Sequence, residues 1–172
     1  MIMKITIYIS FLFLFFQYSV LAQNTEEIDI AKSLIFIEAG GSGGYGSVNY
    51  EYLLKSINKI KLSVRIGFST YHITDYTNSF NPDILIPIAV NAYYGLNHNI
   101  DFSIGQTISN IVYADNFDFQ PKRKNSFNTN LSLGYRYQKE TGGFMCKIAY
   151  SPIIENNKTY RNWISLSLGY AF

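Results

Sequence analysis

The sequence predicts an all-β protein: an eight-stranded antiparallel up-and-down transmembrane β-barrel, preceded by a cleaved signal peptide. Three observations point there. Segments of about ten residues alternate between apolar and polar positions, the period of a strand with one dry and one wet face. The connections alternate in length, short after the second, fourth and sixth strands and long after the third, fifth and seventh, as expected of a membrane-spanning barrel with turns at one end and loops at the other. Aromatic residues make up 17% of the chain, with 15 Tyr, 13 Phe and one Trp. They gather toward segment ends, where rings that are dry on one side and wet on the other are favoured.

The N-terminus reads as an export signal. Lys4 supplies a positive start, residues 5–16 (ITIYISFLFLFF) an apolar core of secretory length, and Val20-Leu21-Ala22 permitted residues before a cut. No later apolar run reaches the roughly 20 residues of a spanning helix. The chain therefore divides into a signal peptide (1–22), a short polar N-terminal segment (23–33) and a barrel domain (34–172). No Cys follows the apolar core, which excludes a lipoprotein anchor. A single Cys146 excludes an internal disulfide, and with only His72 and His98 a structural zinc site lacks ligands. Fourteen Lys plus Arg against 12 Asp plus Glu give no bias toward nucleic acid.

The strands follow in order. Residues 34–40 form a short first strand. Over 46–54, Val48, Tyr50, Tyr52 and Leu54 alternate with Ser47, Asn49 and Glu51. Over 60–69, Ile60, Leu62, Val64, Ile66 and Phe68 alternate with Lys61, Ser63, Arg65, Gly67 and Ser69. Segments 84–95 and 100–109 are weaker, and Pro87, lacking a ladder donor, predicts a bulge or an unpaired position. Over 127–138 and 144–151 the alternation returns. In the last segment, 162–172, Ile164, Leu166, Leu168, Tyr170 and Phe172 oppose Ser165, Ser167, Gly169 and Ala171. A free edge in hydrocarbon has no water to bond, so this strand must pair with the first. Reading 35–54 as one bent strand would change the count, whereas an even number is expected. The link GGSGGYG (40–46) lacks the Lys and following helix of a phosphate cradle and reads as a tight connection or bulge.

One parity is free of charge. The other carries Glu38, Glu51, Lys61, Arg65, Asp101, Arg136 and Lys147, three acids against four bases. A barrel of eight strands is barely wide enough for its own side chains, so these charges are expected to neutralise one another across a filled lumen rather than line a pore. A soluble lipocalin-like barrel would invert this pattern, apolar inside and polar outside.

Candidate chemistry is sparse. His98, between Asn97 and Asn99, reads as an exposed turn residue. His72 lies near Ser69, Thr70 and Asp75, the residue types of acyl transfer; a lipid A-modifying barrel enzyme is thus the rival reading. Asp115, Asn116 and Asp118 could offer oxygens to calcium, but no Gly-centred loop with a closing Glu follows, which favours a solvated loop. The patch PKRK puts Lys122, Arg123 and Lys124 in a long loop, either solvated or in contact with lipopolysaccharide phosphates. No cofactor or metal is expected.

Taken together, FIEAGGSGGYGSVNYE, IPIAVNAYYGLNHNIDFSIG, LGYRYQKETGGF, KIAYSPII and WISLSLGYAF resemble the small outer-membrane β-barrel proteins of Bacteroidetes-type bacteria, OmpA/OmpX-like eight-stranded barrels. The resemblance covers most of residues 34–172 and contains no catalytic signature. The final alternation also resembles the β-signal read by the barrel-assembly machinery, with Leu168, Tyr170 and Phe172 in the matching positions. The resemblance implies Sec-type export to the bacterial outer membrane, and outer-membrane lipids, lipopolysaccharide and the assembly machinery as partners. It also implies a structural or surface-interaction role with long loops outward and no catalytic activity.

Overall fold

A computed structural model describes residues 30–114, 120–155 and 160–172. The expected signal peptide (1–22), most of segment 23–33, and Asp115, Asn116 and Asp118 lie outside them. The described residues form ten strands: β1 (Ser33–Ala39), β2 (Gly46–Ile57), β3 (Ile60–Phe68), β4 (Ile84–Gly95), β5 (His98–Ala114), β6 (Pro121–Gln138), β7 (Gly143–Tyr150), β8 (Ile153–Ile154), β9 (Tyr160–Arg161) and β10 (Ile164–Ala171). Eight of them make an antiparallel ring. Each long strand pairs with its chain neighbour, and β1 pairs β10 from Leu34↔Ala171 to Ala39↔Leu166. Ser33 and Phe172 exchange backbone hydrogen bonds of 2.9 and 2.8 Å across that seam, so every backbone edge at this height is paired.

β1 and β2 are separate strands joined by a compact link, which settles the count at eight. β8 and β9 are two-residue extensions: β8 pairs with β6 beyond the end of β7, and β9 pairs with β8. Part of the expected loop 152–161 is therefore strand. The expected loop 110–126 changes more. β5 and β6 stay in register as far as Ala114↔Pro121, with Ile111↔Lys124, Val112↔Arg123 and Tyr113↔Lys122. Lys122, Arg123 and Lys124 thus lie on a strand and not in a loop. The β-branched and aromatic run Ile111-Val112-Tyr113 favours extended pairing and carries its basic partner strand with it.

Pro87 leaves a gap and not a bulge. The β3–β4 ladder stops at Ile66↔Ile88 and resumes in the same register at Ser69↔Leu85, so the missing proline N–H interrupts the ladder opposite Gly67. The bulge lies elsewhere, in β2 between Leu53 and Lys55.

Polarity is inverted relative to a soluble protein. Arg136 and Asp101 are 0% exposed and Glu51 3%, whereas Ile37 is 60%, Tyr170 62% and Ile164 69% exposed. The buried apolar cluster inside the ring is small, Leu34, Phe36, Met145 and Ala171 near the turn end. Apolar rows on the outside and charges on the inside need a solvent that is itself apolar, which a bilayer supplies.

Candidate functional site

The lumen holds the chemistry. Alternation points Glu38 of β1, Glu51 of β2, Lys61 and Arg65 of β3, Asp101 of β5, Arg136 of β6 and Lys147 of β7 inward, and the curvature of the ring brings opposite walls within side-chain reach. Midway, the Arg136 guanidinium donates to both oxygens of Glu51, at 2.9 and 2.6 Å. It also lies 3.3 Å from Asp101 and 4.4 Å over the Tyr93 ring. Lys147 donates to the other Asp101 oxygen at 2.5 Å, and Ser63 donates to Glu51 at 2.7 Å. Arg136 and Lys147 are direct cross-strand partners, an arrangement that is unfavourable for like charges and is offset here by the carboxylate they share.

Two further pairs lie toward the ends. At the loop end, Arg65 donates to Glu38 at 2.9 Å and to the Ser42 hydroxyl at 2.8 Å. At the turn end, Lys61 meets Glu140 at 2.8 Å and donates to the Gly95 carbonyl at 2.8 Å. Glu140 sits in the β6–β7 turn, where strand parity does not single it out. Its sequence signal is the surplus of one base on the lumen parity, which calls for a fourth acid. A cavity of about 10 Å³ lined by Leu34, Glu51, Tyr93 and Gln138 marks this mouth, room for about one water.

The link between β1 and β2 is more than a tight connection. Gly41–Gly43 forms a single 3-10 turn whose three residues are buried, folded into the loop-end mouth of the ring. The Ser42 N–H and hydroxyl both donate to Glu38, at 3.1 and 3.3 Å. Its carbonyl accepts from Thr107 at 2.7 Å, and the Gly43 carbonyl accepts from Ser69 at 2.8 Å. The segment is a plug held by Glu38, Arg65, Ser69 and Thr107. Small residues are required because the mouth is already narrow; a Cβ at Gly43 would strike the Ser47 side chain.

The set His72, Ser69 and Asp75 is not assembled. Ser69 is buried and gives its proton to the Gly43 and Gly46 carbonyls. The carboxylate that His72 Nδ1 meets, at 3.0 Å, is Asp83. Asp83 also accepts the Val112 N–H at 2.8 Å, satisfying a backbone donor just beyond the end of the β4–β5 ladder at Ile84↔Asn110. Asp75 accepts instead from the Thr77 hydroxyl and N–H and from Asn81. The Thr77 hydroxyl, followed by Asn81, holds the Asp75 carboxyl below the ordinary aspartate range. A carboxyl with a depressed folded value supports its loop above the unfolded value, about 3.9, and stops doing so as pH falls through the folded one. Limited pepsin digestion is expected to leave residues 71–82 uncut near pH 4 and to cut them at lower pH; in Asp75→Asn the cutting is expected already near pH 4.

His98 begins β5 and does not sit within the turn; its Nδ1 is 2.6 Å from the Tyr135 hydroxyl. Arg123 donates to Asn110, Asn81 and, at 3.1 Å, the Pro82 carbonyl, tying the β3–β4 loop to the β5–β6 hairpin. Lys124 is exposed and helps line a recess of about 950 Å³ with Ile111, Tyr113, Asn128, Glu155 and Arg161. Beside the plug, Tyr45 packs edge-on against Tyr71 and Trp163, at 5.4 and 5.5 Å, and burial pushes the Tyr71 phenol up.

No family model matches the chain, and no curated protein matches it by sequence. Solved structures do. The N-terminal β-barrel domain of Pseudomonas aeruginosa OprF aligns with a TM-score of 0.56 at 14% identity, over 84% of this chain and 98% of that one. Yersinia pestis Ail, the attachment invasion locus protein, crystallised with the heparin analogue sucrose octasulfate, aligns with a TM-score of 0.53 at 12% identity, over 83% and 97%. Ail in a phospholipid nanodisc gives 0.51 at 11% identity, over 83% and 99%. At such identities the likeness is one of fold: this chain is built as a small outer-membrane β-barrel.

Proposed function

We propose that the protein is an integral β-barrel of the bacterial outer membrane, of the small Bacteroidetes-type kind that its sequence resembles, with a structural or surface-interaction role and no catalytic activity. The observation that carries this reading is the inverted polarity of a closed ring, with Arg136, Asp101 and Glu51 buried inside and apolar rows outside. In this reading residues 1–22 direct Sec-type export, the turns face the periplasm and the loops face outward. The ion-paired lumen and its plug favour a rigid scaffold over a pore.

The outward end supplies the chemistry for contact. Lys122, Arg123 and Lys124 stand on the projecting β5–β6 hairpin, suited to lipopolysaccharide phosphates. Lys124 and Arg161 in the recess suit an acidic ligand, the class to which the sulfated sugar bound by Ail belongs.

Membrane fractionation with a heat-modifiability gel tests the reading. The chain should require detergent for extraction and should migrate differently boiled and unboiled; recovery in the soluble fraction without detergent would refute it. For the assembly signal Leu168, Tyr170 and Phe172, deleting Phe172 removes both backbone bonds to Ser33. The deletion should lower the folded, membrane-inserted fraction in cells, and unchanged insertion would remove the role assigned to that residue.

A further inference from the structure

The two rims differ in how most of their described charges are used, with Lys124 the exposed exception at the loop end. At the loop end Arg123 is bonded to Asn110 and Asn81, and Arg161 to Glu155. At the turn end Lys32, Lys55, Lys59 and Lys139 are exposed, with no side-chain partner among the described residues. Among the described residues the acid there, Glu140, is already taken by Lys61. Backbone bonds place these lysines around one rim: Leu53 N–H to the Lys32 carbonyl, Gly95 N–H to the Lys59 carbonyl, Gln138 N–H to Asn97 and Ala31 N–H to Glu140, all 2.8 or 2.9 Å.

The bulge in β2 contributes to this arrangement. Ser47, Asn49 and Glu51 point inward, and strict alternation would turn Lys55 inward too, beside Lys61. The extra residue between Leu53 and Lys55 instead pairs Lys55 with Leu62, on the outer face. A bulge re-aims a side chain in this way. On the outer wall Lys55↔Leu62 shares a face with Ile57↔Ile60, where a lysine stem can run along apolar surface and deliver its ammonium to the headgroup level.

Beside it is a recess of about 570 Å³ whose lining includes Lys59, Tyr94, Leu96, His98, Ile100 and Tyr135. Its wall is aromatic and aliphatic and Lys59 stands at its edge, the shape of a site for an amphiphile. The Tyr135 hydroxyl engages His98 Nδ1 at 2.6 Å, and His98 is otherwise exposed.

We propose that the turn-side rim is a binding surface for anionic phospholipid headgroups, with Lys59 and His98 meeting the phosphate of a lipid whose chain lies along Tyr94 and Ile100. Lys32, Lys55 and Lys139 hold further headgroups around the ring. The proposal rests on the membrane reading above and names a lipid class and a leaflet for it. Each lysine near an anionic surface strengthens association by about fivefold, and salt weakens it within a Debye length.

The test uses the full chain refolded into vesicles of phosphatidylcholine alone or mixed with phosphatidylglycerol, followed by native mass spectrometry of retained lipid and a heat-modifiability melt. Retention of phosphatidylglycerol over phosphatidylcholine by at least about tenfold is expected, together with a higher melting temperature in the mixed vesicles. Both effects should disappear in the variant carrying Lys32→Gln, Lys55→Gln, Lys59→Gln and Lys139→Gln, and persist when the same four become Arg. Equal retention of the two lipids, or an undiminished preference in the Gln variant, would overturn the lipid rim while leaving a folded membrane barrel. A chain that stays soluble without vesicles would overturn the membrane reading itself.

Discussion

Arg136→Met is expected to destabilise the barrel by about 3–5 kcal/mol, the cost of orphaning a buried charge. Arg136 is fully buried and donates to both Glu51 oxygens, so its loss leaves Glu51 in the lumen with Ser63 as its remaining side-chain donor. Asp101 keeps Lys147 and should suffer less. Arg136→Lys would not restore the wild-type value, because a point charge cannot reproduce the two-pronged contact. The double variant Glu51→Gln/Arg136→Met removes both charges and should recover much of the loss, since a neutral pair of similar size costs little compared with a broken ion pair. Urea midpoints of the folded band in vesicles measure all four proteins. A single-variant loss below about 1 kcal/mol, the scale of exposed pairs, would show that the lumen is wet enough to screen Glu51.

Gly169→Val should block closure of the ring. Gly169 pairs with Phe36 at the β1–β10 seam, and a Cβ there would collide with the Ile35 carbonyl oxygen and with Phe36 Cβ. The obstruction involves backbone, which cannot swing away. Overpacking costs about 1–3 kcal/mol where neighbours can shift, and the larger part of that range or more applies at a seam whose displacement also breaks ladder bonds. The measurement is the heat-modifiable fraction after refolding: severely reduced for Gly169→Val, intermediate for Gly169→Ala, and normal for Gly46→Ala, where the nearest heavy atom would be an ordinary 3.7 Å away. Normal folding of Gly169→Val would mean that the seam tolerates a wider spacing than described.

The strand faces are legible in the sequence because alternation is a local property. Ile60 to Phe68 declares its two sides whatever surrounds it, and the same holds for Ile164 to Ala171. Strand ends at the loop rim are less legible. Lys122 to Ser126 is polar throughout and looks like loop, yet it stays paired with Asn110 to Ala114 because two strands already in register continue to exchange backbone bonds once clear of the bilayer. The bulge beside Lys55 has no sequence mark either, since it is set by how β2 must twist against β3.

The lumen divides along the same line. That Glu51, Asp101, Arg136 and Lys147 share an interior follows from parity alone. That Arg136 meets Glu51, 85 residues away, follows from closure of the ring, which sets β2 opposite β6. The GGSGGYG link advertises flexibility and small size; its burial as a plug depends on Glu38, Arg65, Ser69 and Thr107 converging on it. Neighbouring residues encode which way each side chain points, because the pleat has a period of two. Which side chain it then meets depends on strand number and curvature, quantities that exist only once the barrel is closed.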